Sequence, residues 1–332
     1  MCGIIGAASS RSVDKILIKG LKLMEYRGYD SAGIALNQEQ QVLRLRALGK
    51  VLKLEELMVE HKPKATAGIA HTRWATHGAP SEENAHPHGS HDQIYIVHNG
   101  IIENHNEIRA QLKSYGYEIN SQTDSELIAH LIHFYKKEVG DTLKALINAT
   151  NKLKGAYSIA AIDSDQKDKI FAARQKSPLL IGKGIEENFV ASDPLAIINN
   201  TEAFYLLEDG DFAEITKNDI KIFNDKTIEQ KREETLIEAT ATATSKGKYK
   251  HFMEKEIYEQ PEAIGNTING RLGGEDVLDN VFGVGSSEAF KGVKRIQFVA
   301  CGTSLHAAKT ARKWFEDIAG TPCHIDFASE YR

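Results

Sequence analysis

The sequence predicts an α+β fold for residues 2–223, with many short strands grouped around a few helices. Three observations support this prediction. The apolar or alternating segments are short and are bounded by Gly, Asn, Asp or Lys, as strands usually are. Three longer segments have helical periodicity. The helices are grouped between runs of strands, which favours a layered α+β domain over a strict alternation of strand and helix.

The predicted elements follow one another closely along this part of the chain. The predicted strands are Gly3–Ala8, Ala32–Leu36, Val42–Ala47, Ala67–Ala70, Ile94–His98, Tyr157–Ile162, Ile170–Ala173, Leu179–Ile181, Phe189–Ala191, Phe204–Leu207 and Phe212–Ile215. The predicted helices are Val13–Tyr26, Asp124–Lys136 and Asp141–Lys152. Thr123 and Asp124 are candidate caps for the second helix, because short oxygen-bearing side chains satisfy the free N–H groups of a first turn.

Composition excludes several classes of protein. The chain has 332 residues, of which 41% are hydrophobic and 26% charged, with a net charge of −5. Nucleic-acid-binding domains usually carry a basic surplus, so we expect no nucleic-acid partner. No uncharged apolar run approaches the roughly 18 residues that span a bilayer. The first residues, MCGIIGAASSR, lack the basic and apolar regions of a signal peptide, so we expect a cytoplasmic protein without a membrane partner.

The composition changes after residue 223. Residues 224–285 are expected to form a polar linker and a connecting helix, Phe252–Asn269. Residues 286–332 predict the start of a parallel βαβ unit: strand Arg295–Ala300, helix Leu305–Ala319 and strand Pro322–Phe327. Because parallel sheets need several strands to cover both faces, we expect the chain to stop inside this second domain.

Cys2 is the first candidate for chemistry. The three cysteines are too few and too scattered for a disulfide framework or a cysteine-based zinc site. If Met1 is removed, Cys2 carries both a thiol and a free α-amine, whose pKa of about 7.7–8.0 suits a general base. One residue would then supply a nucleophile and its base. The structural alternative is a small apolar residue at the start of a strand.

Two segments could surround a substrate. His71–Gly78 (HTRWATHG) follows a predicted strand, and its arginine could bind a carboxylate through two hydrogen bonds. The alternative is a surface loop with Arg73 stacked on Trp74. Asn99 and Gly100 could supply an amide N–H and a backbone N–H to an oxyanion. Considered alone, however, an Asn-Gly pair favours a hairpin turn.

Histidines and one aspartate complete the candidates. Seven of the thirteen histidines lie between His71 and His105. His86 and His88 suggest a metal site, but no cysteine or acid stands at a recognisable ligand spacing, so we expect no metal. Asp124 could cap its helix or present a carboxylate to an ammonium group.

Together these segments resemble the class II glutamine amidotransferases, and among them the glutamine–fructose-6-phosphate aminotransferases. The resemblance covers nearly the whole chain and rests on the segments CGIIG, YRGYDSAG, HTRWATHG, NAHPH, HNGIIEN, Thr123–Asp124, HFM with KEIYEQP, and ACGTS. It implies an N-terminal-nucleophile αββα sandwich, followed by the start of an α/β sugar-isomerase (SIS) domain. It also implies glutamine and fructose 6-phosphate as substrates, no cofactor, and a homodimer formed through a C-terminal domain that this chain lacks.

The same resemblance assigns roles to residues. Cys2 is the nucleophile on the glutamine amide, and Asn99 and Gly100 hold the oxyanion. Arg73, Trp74, Thr76, His77 and Asp124 form the glutamine-binding pocket, in which Arg73 binds the α-carboxylate and Asp124 the α-ammonium. Trp74 lies on a loop that closes over the site, and Arg27 has a supporting role.

The segment Cys301–Ser304 (Cys301, Gly302, Thr303, Ser304) links a predicted strand to a predicted helix. Such a turn binds anions through helix N–H groups and hydroxyls, although Ser304 could simply cap the helix. The resemblance favours a partial sugar-phosphate site. Because the family's isomerisation residues lie beyond residue 332, we expect glutaminase activity without synthesis of glucosamine 6-phosphate. The alternatives are another class II amidotransferase, such as the first enzyme of purine synthesis, or a non-catalytic regulatory relative.

Overall fold

Two antiparallel sheets form the first unit of the chain, Met1–Ser245; a second unit comprises Lys246–Arg332. The computed structural model describes residues 2–39, 41–74, 78–237, 248–268, 272–273, 276–277 and 286–331. Across these ranges, no helix combines the length and the apolar character that crossing a bilayer requires.

The first sheet has eight strands, numbered here along the chain. Their spatial order is β15 (Glu234–Leu236), β11 (Ala203–Leu206), β9 (Leu180–Lys183), β10 (Glu187–Ala191), β1 (Gly3–Ser9), β4 (Ala67–Arg73), β2 (Ser31–Asn37) and β3 (Val42–Leu48). Every neighbouring pair is antiparallel. The strand after Cys2 therefore lies near the middle of this sheet, between β10 and β4.

The second sheet has seven strands, again antiparallel throughout. Their spatial order is β14 (Glu229–Gln230), β13 (Ile220–Phe223), β12 (Phe212–Ile215), β8 (Gln166–Gln175), β7 (Gly155–Asp163), β6 (Ile94–Ile102) and β5 (His88–Ser90). Both β14 and β15 follow residue 223. Part of the segment that the sequence analysis assigns to the linker therefore pairs with the two sheets.

Helices cover the outer face of each sheet. The helices are α1 (Asp14–Leu23), α2 (Val51–His61), α3 (His105–Ser114), α4 (Ser125–Val139) and α5 (Thr142–Thr150), with short 3-10 turns at Glu25–Arg27 and Pro194–Ala196. Apolar side chains of α1 and α2 form a core with the first sheet. Those of α3, α4 and α5 form a second core with the other sheet.

A third apolar cluster lies between the two sheets, and β1 shows how the layers are built. Ile5 and Ala7 belong to the core beneath α1 and α2. Ile4 and Ala8 belong to the cluster between the sheets. Successive side chains of a strand point to opposite faces, so β1 is buried on both. The resulting helix–sheet–sheet–helix layering confirms the predicted αββα sandwich.

Several elements differ from their predicted bounds. β4 continues through Arg73 and β6 continues to Ile102, so His71, Arg73 and the Asn-Gly pair lie within strands. The predicted hairpin turn at Asn99 is wrong, because β6 stays paired with β7 as far as Ile102 opposite Gly155. The sequence reasoning also missed α2 and α3, whose buried faces are narrow; α3 buries only Ile108 and Leu112.

The second unit contains the predicted parallel strand pair. Its described elements are α6 (Phe252–Ile268), β16 (Leu272–Gly273), β17 (Asp276–Val277), α7 (Ser286–Lys291), β18 (Ile296–Ala300), α8 (Gly302–Ile318) and β19 (Cys323–Phe327). β18 and β19 are parallel, which confirms the βαβ prediction. However, α8 begins at Gly302 rather than at Leu305. Trp314 and Ile318 are 62% and 82% exposed, so the two strands leave much of this helix uncovered.

The core beneath α2 gives a direct test of this packing. Leu54 is fully buried, whereas Leu52, on the same helix, is 59% exposed. Leu54→Ala should lower the free energy of unfolding by about 2–5 kcal/mol because it removes buried methyl groups and leaves a cavity. Leu52→Ala is the matched control and should change it by less than about 0.5 kcal/mol. Urea unfolding measures both; equal effects would contradict this packing.

Candidate active site

Cys2 lies immediately before β1 and is partly buried. The Trp74 backbone N–H donates a hydrogen bond to Cys2 Sγ at 3.3 Å. Burial raises the pKa of the Cys2 thiol, while the bond from Trp74 and the charge of Arg73 act in the opposite direction. The net shift is upward, so this sulfur is a thiol at neutral pH and needs a base before it can attack a substrate.

Strand β4 brings Arg73 and Trp74 to the same end of the sheet. Gly3 lies opposite Thr72 in the ladder, so the residue before β1 faces the end of β4. The Arg73 side chain is only 4% exposed, and it donates to the carbonyl oxygens of Gly78 (3.1 Å) and Ala79 (3.4 Å). Burial lowers the pKa of the Arg73 guanidinium. A guanidinium remains charged even so, and it can bind a carboxylate.

Trp74 sits at the mouth of this site, 42% exposed. Its ring meets that of Tyr29 edge-on, with centroids 5.4 Å apart. A Cβ at Gly28 would lie 2.6 Å from the Arg73 carbonyl carbon and 2.7 Å from the Trp74 nitrogen. Only glycine therefore lets this loop approach β4 so closely. Thr76 and His77, which the sequence places in the same pocket, lie outside the described residues.

The second sheet contributes Asn99 and Gly100. Asn99 Nδ2 donates to the Cys2 carbonyl oxygen at 3.1 Å, which links β6 to the chain before β1. Gly100 has φ = +138°. A Cβ there would lie 1.9 Å from the Ala156 carbonyl oxygen on β7, so glycine is required at this position. Of the two residues predicted to hold an oxyanion, Asn99 thus contacts Cys2 and Gly100 follows it in the same strand.

Two carboxylates border Arg73. Asp124 is 6% exposed, and its Oδ2 accepts a hydrogen bond from the Ile102 N–H at 2.8 Å. Although it occupies the N-cap position of α4, its side chain makes no capping hydrogen bond there. Asp30, to which the sequence reasoning gave no role, joins Cys2 and Asp124 in raising the Arg73 pKa against burial. Its only signal was its place in the segment YRGYDSAG.

The Arg27 contacts described here are with a neighbouring loop and not with the Cys2 thiol. Its guanidinium pairs with the Asp193 carboxylate and donates to the Tyr26 hydroxyl at 3.2 Å. The Tyr26 hydroxyl in turn donates to Asp193 at 2.8 Å. These contacts tie the turn after α1 to the segment after β10.

A cluster of buried histidines lies behind Asn99. His71 Nε2 is 2.9 Å from Asn99 Oδ1, and the rings of His71 and His86 are 4.1 Å apart. His88 bonds Thr123, and His98 bonds Ser125. Burial lowers the pKa of His71 and of His88 to about 3, and that of His86 well below its usual value. Among the described residues, no group of three or more His, Cys, Asp or Glu could hold a metal ion.

The predicted phosphate site lies in the second unit. Cys301 is the N-cap residue of α8 and makes no side-chain capping bond, while Gly302, Thr303 and Ser304 form the first turn of the helix. All four are exposed. The geometry is that of a strand feeding a helix N-terminus, as the sequence predicts.

The buried histidines should make stability depend on pH. An unfolded histidine titrates near about 6.5, well above the folded values for His71 and His88. The unfolded chain therefore binds more protons below that pH, and the folded state loses stability as pH falls. Each group should contribute up to about 1.4 kcal/mol per pH unit, measurable by urea unfolding between about pH 7 and pH 5. His88→Gln should reduce this slope, and a flat profile in the parent chain would contradict the account.

Comparison with known proteins places the chain in a family. A family model described as a glutamine amidotransferase domain matches residues 71–199. The glutamine–fructose-6-phosphate aminotransferase (isomerizing) of Pseudomonas putida is 50% identical over 333 residues, covering 100% of this chain and 54% of that protein. The enzyme of the same name from Pseudomonas aeruginosa is 49% identical with the same coverage. This chain thus spans about half the length of these relatives.

A solved structure supports the same assignment. It is described as the allosteric regulatory enzyme of purine biosynthesis, and it matches with a TM-score of 0.59 at 25% identity, covering 68% of this chain and 49% of that one. The matched domain, the identity along the whole chain and the similar fold lead to one conclusion: this chain contains a glutamine amidotransferase domain and is similar over its whole length to part of these aminotransferases.

Proposed function

We propose that this chain hydrolyses the side-chain amide of glutamine through a Cys2 thioester. The observation that carries the proposal is the convergence of both sheets on Cys2, with Asn99 Nδ2 3.1 Å from its carbonyl oxygen and Trp74 N–H 3.3 Å from its sulfur. Arg73 and Asp124 lie beside this point. Glutamine fits this arrangement as the substrate. The site has a nucleophile and an oxyanion donor for the side-chain amide, and it has one positive and one negative residue for the α-carboxylate and the α-ammonium.

The base in this proposal is the α-amine of Cys2, exposed once Met1 is removed. Because burial raises the Cys2 pKa, the thiol must lose its proton to a neighbouring group. His71 reaches the site, but with a pKa of about 3 its imidazole is too weak a base at neutral pH. A free α-amine, with a pKa of about 7.7–8.0, can take the thiol proton and return it to the leaving ammonia.

Asn99 and Gly100 stabilise the tetrahedral intermediate. The Asn99 amide has two N–H donors. One is used by the Cys2 carbonyl oxygen, and the other is available to the substrate oxyanion. The Gly100 N–H is the second donor. A donor of this kind is worth about 3–4 kcal/mol of the barrier because it strengthens as charge develops on oxygen.

Two charged residues bind the α-carboxylate and the α-ammonium of the substrate. The Arg73 guanidinium binds the α-carboxylate, and Asp124 accepts from the α-ammonium. Trp74 covers the entrance. The resemblance of the segment HTRWATHG is the support for assigning glutamine binding to Thr76 and His77 as well. Burial of Arg73 strengthens its attraction for a carboxylate, since a buried charge is poorly screened by water.

We further propose that the ammonia serves the synthesis of glucosamine 6-phosphate and glutamate from fructose 6-phosphate and glutamine. This rests on the names of the relatives that match the whole chain. Free ammonia is mostly protonated in neutral water, and the ammonium ion cannot attack a carbonyl. Joining a glutaminase to a sugar-phosphate domain lets the ammonia react before it is protonated by water. In that domain the turn at Cys301–Ser304 would contact the sugar phosphate, with Gly302, Thr303 and Ser304 supplying N–H and hydroxyl groups.

Cys2→Ala should abolish the release of glutamate from glutamine, because no other group can form the thioester. Glutamate release is measured on the purified chain, with the intact mass establishing whether Met1 is absent. Cys301→Ala is the matched control, since that cysteine is exposed and lies in the second unit. Full activity in Cys2→Ala, or none in a parent chain with a free Cys2 amine, would overturn the proposal.

Arg73→Lys should raise KM for glutamine roughly tenfold or more, a loss of about 1.4 kcal/mol, because lysine keeps the charge but not the paired hydrogen bonds to a carboxylate. The Arg46→Lys variant is the control, because Arg46 also bonds backbone carbonyls, those of Glu83 and Ala85, but has no contact with Cys2. Steady-state kinetics gives both values. An unchanged KM in Arg73→Lys would remove this residue from the glutamine pocket.

A further inference from the structure

The Asn99 carboxamide is held at both ends. Its Nδ2 lies 3.1 Å from the Cys2 carbonyl oxygen, and its Oδ1 lies 2.9 Å from His71 Nε2. His71 belongs to β4 of the first sheet and Cys2 immediately precedes β1 of that sheet, while Asn99 belongs to β6 of the second sheet. The orientation of the amide therefore depends on partners across the interface between the sheets.

The chemistry of these partners allows one arrangement. A carbonyl oxygen can only accept, so the Cys2 carbonyl must face the Asn99 NH2 group and not its oxygen. The amide oxygen then faces His71, and because this oxygen can also only accept, His71 Nε2 must carry a proton. A flipped amide would place two oxygens about 3 Å apart at Cys2 and lose both hydrogen bonds.

The surroundings of His71 keep the ring in place. It lies on β4, is 1% exposed and packs against the tilted ring of His86, whose centroid is 4.1 Å away. Burial holds its pKa at about 3, so the ring is neutral at working pH. A neutral imidazole has one N–H, and the Asn99 contact requires that N–H at Nε2.

We infer that His71 is a positioning residue for glutamine hydrolysis: its Nε2–H fixes the Asn99 amide with the NH2 group toward the reacting carbon. This inference deepens the proposed function and rests on it. The hydrogen bond to Oδ1 also draws electron density from the amide nitrogen, which makes Nδ2–H a stronger donor to an oxyanion. His71 touches no substrate, and it acts only through Asn99.

Loss of the hydrogen bond between His71 and Asn99 should affect the transition state and not the binding of glutamine. The oxyanion exists only after the thiolate has attacked, so loss of the partner of Asn99 should lower kcat and leave KM for glutamine nearly unchanged. Removal of an oxyanion donor itself costs about 10²–10³ in kcat. His71→Leu, which leaves Asn99 present but free to turn, should cost less than Asn99→Ala and still at least about tenfold.

Four single variants of the full chain and one double variant test this. His71→Leu removes the donor, whereas His71→Gln restores an N–H in nearly the same place and should recover most of kcat. His130→Gln is the control: this histidine is equally buried, but its Nδ1 bonds Ser90 Oγ at 2.9 Å and it should leave kcat unchanged. The double variant His71→Leu with Asn99→Ala should be no slower than Asn99→Ala alone, because contributions made through one group do not add.

Each outcome decides between two explanations. Equal losses in His71→Leu and His130→Gln, or additive losses in the double variant, would reduce His71 to a structural residue and overturn the inference while the glutaminase stands. No Cys2-dependent activity in the parent chain would overturn the proposed function and, with it, the role of His71.

A second readout needs no catalysis. Nitrogen-15 spectra of histidine-labelled protein at neutral pH, assigned with His71→Gln, report which ring nitrogen carries the proton. We expect a proton on Nε2 of His71 and none on Nδ1. The opposite tautomer would leave Nε2 without a proton, break the hydrogen bond to Asn99 Oδ1 and overturn the inference even if the chain is an active glutaminase.

Discussion

The apolar layer between the two sheets is the constraint on which the site depends. Ile4 and Ala8 of β1 and Val97 of β6 belong to that layer, so the packing that buries them fixes the distance between the two strands. Where the layer ends, the same two strands bring Asn99 to the Cys2 carbonyl oxygen. Hydrophobic packing thus sets the geometry of a polar site to which it contributes no atoms.

Burial also decides the electrostatics of the site. It raises the pKa of Cys2, lowers that of Arg73 and keeps His71 neutral. All three shifts favour the uncharged form, as expected where water is excluded. The Asp30 and Asp124 carboxylates oppose the lowering of the Arg73 pKa, and the Trp74 N–H opposes the raising of the Cys2 pKa. The site therefore holds its charges in a medium where each acts strongly on a bound substrate.

The sequence predicted most strands and the two-part organisation because alternation and turn residues are local signals. It located Cys2, Arg73, Asn99 and Asp124 through a resemblance rather than through geometry. It could not show that the Asn-Gly pair continues a strand, since its pairing partner Tyr157 lies far along the chain. The contact between His71 and Asn99 joins two sheets, and no local pattern predicts a register between sheets.

The pairing of β1 has a consequence for the order of folding. Its neighbour β10 comes from far along the chain, and the Ile4 N–H donates to Ser192 Oγ, just after β10 and 188 residues away. Contacts of such high sequence separation form late, because a long loop must close first. A nascent chain therefore exposes its first residues long before they can be fixed in place. The surroundings of Cys2 can be completed only once the chain has been made as far as Ser192.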